Sequence, residues 1–264
     1  MVISMIMMKE LWFFKRKEIK KMKYNECKVI ANIKRGDKPL VSKVPIDDFT
    51  NAIQNNFDYD FDGTSKFYPY ELPKELINEI NKSNDIQSIV ICGASGSGKS
   101  TLAQTLTFAK FTNKQYDNTK ALISNFKSVE DATNRLTSVG LNSIPTWCRP
   151  RNVLSVGEGF RADVALNIDS HTIFDEFTST IDRNVAKSCA KGLGKYIKEH
   201  DLHNIVFVSC HKDYIDFLQP SIVIDLDEEL VYDCRGQALG ELLPCKCTKQ
   251  QTNRFGDCLL TITI

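Results

Sequence analysis

Residues 89–101 read IVICGASGSGKST, an apolar run followed directly by a glycine-rich loop. The order fits the phosphate-loop pattern G-x-x-x-x-G-K-[ST], whose backbone N–H groups wrap so closely around a phosphate that a Cβ would obstruct them. Lys99 would reach the β- and γ-phosphates, and the Ser100 hydroxyl would hold Mg²⁺. The apolar spacing of 101–110 predicts a helix whose positive end faces the same phosphates. We therefore expect a nucleotide to contact Gly93, Ala94, Ser95, Gly96, Ser97, Gly98, Lys99, Ser100 and Thr101.

The composition indicates a globular protein with a full core. Of 264 residues, 42% are hydrophobic and 25% are charged, which suits one large α/β domain or two small ones. The net charge of +1 gives no bulk signal for nucleic acid or an anionic membrane. Cys92 and Cys210 lie in apolar, strand-like segments and are expected to be small core residues. Because this cysteine pattern suits a reducing compartment, we expect a cytoplasmic protein.

Both ends of the sequence differ from its middle. Residues 1–21 are apolar and then basic, but the apolar runs are too short and broken to span a bilayer, and no small-residue cleavage site follows. We interpret 1–21 as a poorly ordered, non-spanning appendage, with the hypothesis that translation begins at Met22. Residues 241–264 form a separate tail. Cys234 and three thiols of the tail could together bind zinc, although paired C-x₂-C knuckles are lacking; the three are Cys245, Cys247 and Cys258.

The pattern of the middle predicts an α/β fold with a mostly parallel sheet flanked by helices. Two β-branched runs, 27–33 and 40–46, flank a turn and predict a small antiparallel β subdomain, whereas 51–72 shows little periodicity. A short helix should follow Pro73. Further strands are predicted at 120–126, 171–177 and 204–211, further helices at 129–141 and 155–168, and a closing hairpin at 221–233.

The strand at 171–177 carries the second chemical motif, TIFDE. It would deliver Asp175 to the carboxyl edge of the sheet, beside the phosphate loop. There Asp175 can support Mg²⁺, and Glu176 can orient and deprotonate a hydrolytic water. Taken alone, an apolar run followed by DE is more often a solvated strand end. After a phosphate loop, the catalytic interpretation is favoured.

Residues 154–165, LSVGEGFRADVA, resemble the signature of ABC-type ATPases, usually written LSGGQ followed by arginine and alanine. The matching positions are Leu154, Ser155, Gly157, Glu158, Arg161 and Ala165. A serine and a glycine at a helix N-terminus can form a second phosphate site, although Ser155 could equally be an ordinary N-cap. Downstream, FTSTID resembles the D-loop of the family: Ser179 and Asp182 match it, and Phe177 replaces its usual proline. After the next strand, FVSCH ends in His211, which matches the switch histidine.

The resemblance implies an ATPase domain over 22–240 that uses ATP and Mg²⁺ and closes as a head-to-tail homodimer around two nucleotides. Glu176, Lys99 and His211 would be catalytic, and Ser100 and Asp175 would organise the metal. Ser155 and Gly157 would contact the nucleotide held by the other subunit, and Glu158 and Asp182 would also bind nucleotide.

Two departures from the family pattern concern the region between these motifs. The strand predicted at 120–126 should lead into the Q-loop, yet no glutamine follows it, and Ser124 or Asn125 is the nearest polar candidate. The interval from Lys99 to Ser155 is shorter than in most ABC transporters, which predicts a reduced helical subdomain. For stacking on adenine, Phe67, Tyr68 and Tyr70 are available, and we rank Tyr70 first.

Over 129–225 the sequence looks like the ABC ATPases of bacteria and phages that are often fused to a predicted GNAT acetyltransferase. No acetyltransferase part is expected, because about 25 residues after Gly240 are too few for one.

The resemblance leaves three uses of ATP open. The first is a soluble ATPase acting with a DNA, RNA or modification partner. The second is the nucleotide-binding subunit of a transporter with a separate permease. The third is a non-hydrolysing, nucleotide-gated interaction module.

Overall fold

A computed structural model of the chain describes residues 23–83, 85–112 and 114–235. The predictions for 1–21, for Met22 as the start and for 241–264 lie outside the described residues. Within the described part, no helix is both long and apolar enough to cross a membrane.

A seven-stranded sheet in the order β1-β11-β10-β6-β9-β8-β7 forms the centre of the fold. The strands from β10 to β7 pair in parallel, and β11 and β1 add antiparallel strands at one edge. This confirms the predicted α/β class, the mostly parallel sheet and the closing hairpin. The strands are β1 (Lys28–Asn32), β2 (Lys34–Arg35), β3 (Leu40–Lys43), β4 (Thr64–Phe67), β5 (Tyr70–Glu71), β6 (Ser88–Cys92), β7 (Lys110–Phe111), β8 (Thr172–Phe174), β9 (Ile205–Ser209), β10 (Ile222–Asp225) and β11 (Leu230–Asp233).

Helices cover both faces of this sheet. They are α1 (Asp48–Phe57), α2 (Lys74–Lys82), α3 (Lys99–Thr105), α4 (Val129–Ser138), α5 (Ile144–Trp147), α6 (Val156–Asn167), α7 (Arg183–Glu199) and α8 (Ile215–Leu218), with 3₁₀ turns at Tyr24–Glu26, Leu122–Asn125 and Arg151–Val153.

The side chains of β6 show how one apolar strand serves two cores. Val90 and Cys92 belong to the core formed with α4, α6 and α7, whereas Ile89 and Ile91 belong to the core formed with α2 and α3. Successive residues of a strand point to opposite faces, so an uninterrupted apolar run is what a doubly covered strand requires. The carboxyl end of β6 is thereby fixed at the centre of the sheet, where the phosphate loop begins.

Small antiparallel sheets lie beside the main one, as predicted, but their pairing differs from the prediction. The run at 27–33 does not pair with the run at 40–46: β1 pairs with β11, and β3 pairs with β4. Between β3 and β4 lies α1, in a region that the sequence analysis left partly without structure. Its N-cap Asp47 accepts a hydrogen bond from the backbone N–H of Thr50 at 2.9 Å, and no residue of α1 is buried.

The strand predicted at 120–126 is wrong. Residues Leu122–Asn125 form a 3₁₀ turn, in which the Asn125 side chain donates to the backbone oxygen of Ala121 at 3.0 Å. The edge strand, which pairs with the outer side of β8, is β7; it is only two residues long and lies where the apolar spacing of 101–110 predicts the end of a helix. Because α3 stops at Thr105, the chain reaches the sheet edge at Lys110, whereas the predicted strand began at residue 120.

The cysteines also depart from expectation. Cys27 and Cys234 form a disulfide, with Cα atoms 5.3 Å apart, although the sequence analysis expected reduced thiols. Cys234 is therefore not a free thiol for zinc, and the other three cysteines of that hypothesis lie outside the described residues. Cys210, expected in the core, is exposed, because it follows the last residue of β9.

Candidate nucleotide site

The phosphate loop connects β6 to α3 at the carboxyl edge of the sheet. Its glycines adopt left-handed backbone conformations, with φ of 154° at Gly93, 74° at Gly96 and 98° at Gly98. A Cβ at Gly98 would lie 2.6 Å from Cζ of Phe67, so glycine is required there both by conformation and by space. Residues Ala94, Ser95 and Gly96 are exposed at the tip, whereas Ser97 Oγ is buried and makes no hydrogen bond to any described residue.

Lys99 is the first residue of α3 and its side chain turns back onto the loop. It is only 9% exposed, and Nζ donates to the backbone oxygen of Ala94 at 2.6 Å. The Lys99 ammonium is thus held at the loop itself, where a phosphate bound by the loop would be within its reach. Ser100 and Thr101 follow in the first turn and are half-buried.

Asp175 and Glu176 follow β8 at the same edge of the sheet, with β9 between them and the loop strand. Both are exposed, and Asp175 Oδ1 accepts from the backbone N–H of Glu176 at 2.9 Å. Glu176 has a φ of 52°, an uncommon conformation for a residue with a side chain. The structure therefore brings the acidic pair and the phosphate loop to one edge, and the strained backbone lies at the proposed base.

His211 lies at this edge too, after β9. Its backbone N–H donates to Ser209 Oγ at 3.1 Å, and Ser209 Oγ donates to the backbone oxygen of Phe177 at 2.8 Å. Phe177 is fully buried, with its ring centroid 4.6 Å from Phe207 and 5.1 Å from Tyr214. The phenylalanine that replaces the usual proline thus anchors the turn after Glu176 in the core and, through Ser209, fixes the start of the His211 segment.

The signature residues form a second group, around the start of α6. Ser155 is the N-cap: its Oγ accepts from the backbone N–H of Glu158 at 3.3 Å, and Glu158 Oε2 accepts from the Ser155 backbone N–H at 3.1 Å. Hydrogen bonds from the Ser155 hydroxyl and backbone hold the pKa of Glu158 below its ordinary value. The N-cap interpretation is therefore correct, and since Ser155 stays exposed, capping leaves the side chain accessible.

The D-loop segment lies against this helix start. A Cβ at Gly157 would be 3.4 Å from the Ile181 side chain. Asp182 caps α7, accepting from the backbone N–H of Asn184 at 2.8 Å. Within residues 23–83, 85–112 and 114–235, no hydrogen bond or ion pair joins Ser155 or Asp182 to the phosphate loop. One chain thus brings the predicted site residues together as two separate groups.

Arg161 and Ala165 hold the signature helix in place. Arg161 Nη1 donates to the backbone oxygen of Gly140 at 2.7 Å, which ties α6 to the end of α4, and Ala165 is fully buried.

Comparisons with known proteins give little beyond this geometry. No protein-family model matches the sequence, and no curated protein matches it. Among solved structures, the chain is similar to the one described as "Dimeric structure of a post-hydrolysis state of the ATP-binding cassette MJ0796 bound to ADP and Pi". The match covers 73% of this chain and 93% of that chain, with 14% sequence identity and a TM-score of 0.42. At these values the likeness adds no argument.

The ranking of aromatic residues for adenine is not supported by the geometry. Tyr70 is buried, its hydroxyl donates to Glu229 Oε1 at 3.1 Å, and the Arg35 guanidinium carbon lies 4.5 Å from its ring centroid. Phe67, half-buried at the end of β4, is the aromatic that contacts the loop at Gly98.

Gln115 is the residue that the sequence analysis missed. It is exposed and follows the true edge strand β7, whose carboxyl end lies at the same sheet edge as Asp175 because β7 and β8 are parallel. The chain therefore has a glutamine after the edge strand that pairs with β8, and its role as the Q-loop glutamine is a proposal. The position could not be read from the sequence because β7 is too short to show any periodicity.

Proposed function

We propose that this chain is an ATPase of the ABC type that binds and hydrolyses ATP with Mg²⁺. The observation that carries the proposal is a glycine loop with left-handed backbone, at the carboxyl edge of a parallel sheet that also presents Asp175 and Glu176. Ligands of open α/β sheets bind at this edge.

The residues at this sheet edge suit the phosphate groups and the Mg²⁺ ion that the proposed function requires. The positive φ values at Gly96 and Gly98 give the loop a glycine backbone of the kind that can wrap closely around phosphate. Ser100 and Asp175 supply hydroxyl and carboxylate oxygens, the hard ligands that Mg²⁺ prefers. When bound, Mg²⁺ would neutralise charge that develops on the phosphates.

The roles of the chain's own residues follow from their positions. The backbone from Gly93 to Ser100 would bind the phosphates, and Lys99 would exchange the Ala94 oxygen for phosphate oxygens. Glu176 would take the proton of the attacking water, and His211 would contact the γ-phosphate. Gln115 would join the metal and water from the edge strand.

A head-to-tail homodimer would complete the site with Ser155, Gly157, Glu158 and Asp182 of the second copy. Two observations support it. Among the described residues, no hydrogen bond or ion pair joins Ser155 or Asp182 to the loop of their own chain, and exposed apolar side chains flank Ser155. Val153 is 58% exposed and Val156 is 72% exposed. Apolar residues exposed beside a predicted site are typical of interaction surfaces.

We propose that the ATPase drives a process on nucleic acid or together with a modification enzyme, such as the acetyltransferase of the resembling family. The disulfide between Cys27 and Cys234 removes the argument from reduced cysteines for a cytoplasmic location. A transporter subunit with a separate permease is the second candidate. The non-hydrolysing module is the third, and a Q-loop role of Gln115 would weigh against it.

Phosphate release from ATP by the purified full chain, with and without Mg²⁺, tests the proposal. Glu176→Gln should lower the rate about 10²- to 10⁴-fold, the usual contribution of a general base, while nucleotide still binds. Lys99→Ala should abolish binding in calorimetry. Glu75→Gln, at an exposed position of α2, is the matched control and should hydrolyse normally. Unchanged hydrolysis in Glu176→Gln, or unchanged affinity in Lys99→Ala, would contradict the assigned roles.

A further inference from the structure

The turn between β10 and β11 holds the phosphate loop through Asp227. Asp227 Oδ1 accepts from the backbone N–H of Ala94 at 2.8 Å. A Cβ at Gly93 would lie 2.9 Å from Leu226 Cβ and 3.4 Å from Asp227 Oδ1, so the loop packs directly on this turn. The first peptide of the loop is therefore fixed by a residue more than a hundred positions downstream.

Ala94 transmits this contact to Lys99. Its N–H is held by Asp227, and its carbonyl oxygen accepts both from Lys99 Nζ at 2.6 Å and from the Ser97 backbone N–H at 3.2 Å. Gly93, at a φ of 154°, has no side chain to restrain the same peptide. Without the Asp227 acceptor, the Gly93–Ala94 peptide would lose its restraint. The adjoining Ala94–Ser95 peptide, whose oxygen accepts from Lys99, would then be free to shift, and the resting place of the ammonium with it.

Lys212 connects the same carboxylate to a buried one. Lys212 Nζ lies 3.0 Å from Asp227 Oδ2 and 2.8 Å from both oxygens of Asp225, which is fully buried. Asp225 Oδ2 also accepts from the Tyr24 hydroxyl at 3.2 Å, and Asp225 Oδ1 from the Asp227 backbone N–H at 3.0 Å.

The opposite charges of Lys212 and Asp227 stabilise each other. Burial opposes the charge of Lys212, but hydrogen bonds to Asp225 and Asp227 raise its pKa above the ordinary value. Burial likewise opposes the charge of Asp227, but the Ala94 N–H and Lys212 hold its pKa below the usual range. Lys212 is the residue after His211, so the cluster joins the histidine segment to the phosphate loop.

We propose that Asp227 is a positioning residue of the phosphate loop and that Lys212 couples this contact to the His211 segment. The proposal rests on the proposed function, since it assumes that the loop binds nucleotide. Asp227 itself contacts no phosphate and acts through Ala94 and Lys99.

Calorimetric titration of the full chain with ATP and with ADP tests the positioning role. Asp227→Ala should weaken affinity about tenfold, the effect of losing one charge-assisted hydrogen bond. Asp227→Asn keeps an oxygen acceptor for the Ala94 N–H and should stay within about threefold of wild type. Glu228→Ala removes the neighbouring carboxylate of the same turn, which contacts Tyr232, and should leave affinity unchanged. Wild-type affinity in Asp227→Ala, or an equal loss in Asp227→Asn, would overturn the proposal.

A double-mutant cycle tests the coupling. Lys212→Met also removes the cation from the buried Asp225, so its melting temperature must first show that the chain folds. In folded protein, Lys212→Met should weaken affinity, and combining it with Asp227→Ala should add little to the effect of Asp227→Ala alone, because both changes act on the loop through Asp227. Fully additive effects would overturn the coupling role.

Amide exchange without nucleotide separates this inference from the proposed function. In NMR spectra of the nucleotide-free protein, exchange of the Ala94 amide should be faster in Asp227→Ala than in wild type and unchanged in Asp227→Asn. A wild-type protein that binds no nucleotide would refute the proposed function, whereas equal exchange in wild type and Asp227→Ala would refute the positioning contact.

Discussion

At the scale of single residues, the choice between Phe67 and Tyr70 shows what one sequence cannot resolve. Both aromatics precede the phosphate loop at similar distances in the sequence, and Arg35 lies over both rings, 4.5 Å from the Tyr70 centroid and 5.9 Å from the Phe67 centroid. Their burial distinguishes them: Tyr70 is buried, while the half-buried Phe67 contacts the loop at Gly98. Phe67→Ala should weaken ATP affinity about tenfold, because stacking between an aromatic ring and a base typically contributes about 1–3 kcal/mol. Calorimetric titration with ATP measures this affinity, and Phe49→Ala, which changes an exposed phenylalanine of α1, is the control. Equal affinities in Phe67→Ala and wild type would contradict the stacking role.

At the scale of elements, the sequence predicted what periodicity and burial determine. The strands β6, β8 and β9 are apolar runs, and the helices α4 and α6 begin at serine caps. The two-residue strand β7 carries no pattern, so its position, and that of Gln115 after it, came only from its pairing with β8. Helix α1 was not predicted because four of its ten residues are Asp or Asn, which are poor helix formers.

The contact between α4 and the end of α6 gives a pH-dependent prediction at this scale. Arg135 Nη2 donates to Asp169 Oδ1 at 2.9 Å and Nη1 donates to the backbone oxygen of Ile168 at 2.9 Å. Burial raises the pKa of Asp169, but hydrogen bonds from Lys114 and Arg135 outweigh it and lower the value.

A carboxyl pKa that is lowered in the folded state stabilises the protein at pH values above the unfolded pKa of about 3.9. This stabilisation is lost as the pH falls through the folded pKa. Asp169→Asn should therefore unfold at a lower urea concentration than wild type at pH 7, and the difference should shrink as the pH falls below about 4. Asp60→Asn, at an exposed position, is the control. A difference that persists unchanged at pH 3 would contradict an ionic origin.

At the scale of the whole molecule, the disulfide between Cys27 and Cys234 joins residues 207 positions apart and closes the antiparallel edge of the sheet. Cys27→Ser should lower the free energy of unfolding by about 2–4 kcal/mol under non-reducing conditions, because the unfolded chain gains freedom. With a thiol reductant present, wild type and variant should converge. Cys148→Ser, at an exposed free cysteine, should behave like wild type in both conditions. Absence of the cross-linked peptide in non-reducing mass mapping would contradict the bond.

The separation of the two residue groups leads to a prediction about assembly. If Ser155 serves the nucleotide of the other subunit, a Ser155→Arg chain and a Lys99→Ala chain are each inactive, yet their heterodimer contains one intact site. An equal mixture should then recover about a quarter of wild-type activity, since half of the random dimers are mixed and each has one of two sites. Mixing Lys99→Ala with Glu176→Gln is the matched control: both residues belong to the same side of a site, so no intact site forms. Ser155→Arg also removes an N-cap, so its melting temperature must show that the chain folds. Recovery in the control mixture, or none in the test mixture of folded chains, would exclude the shared site.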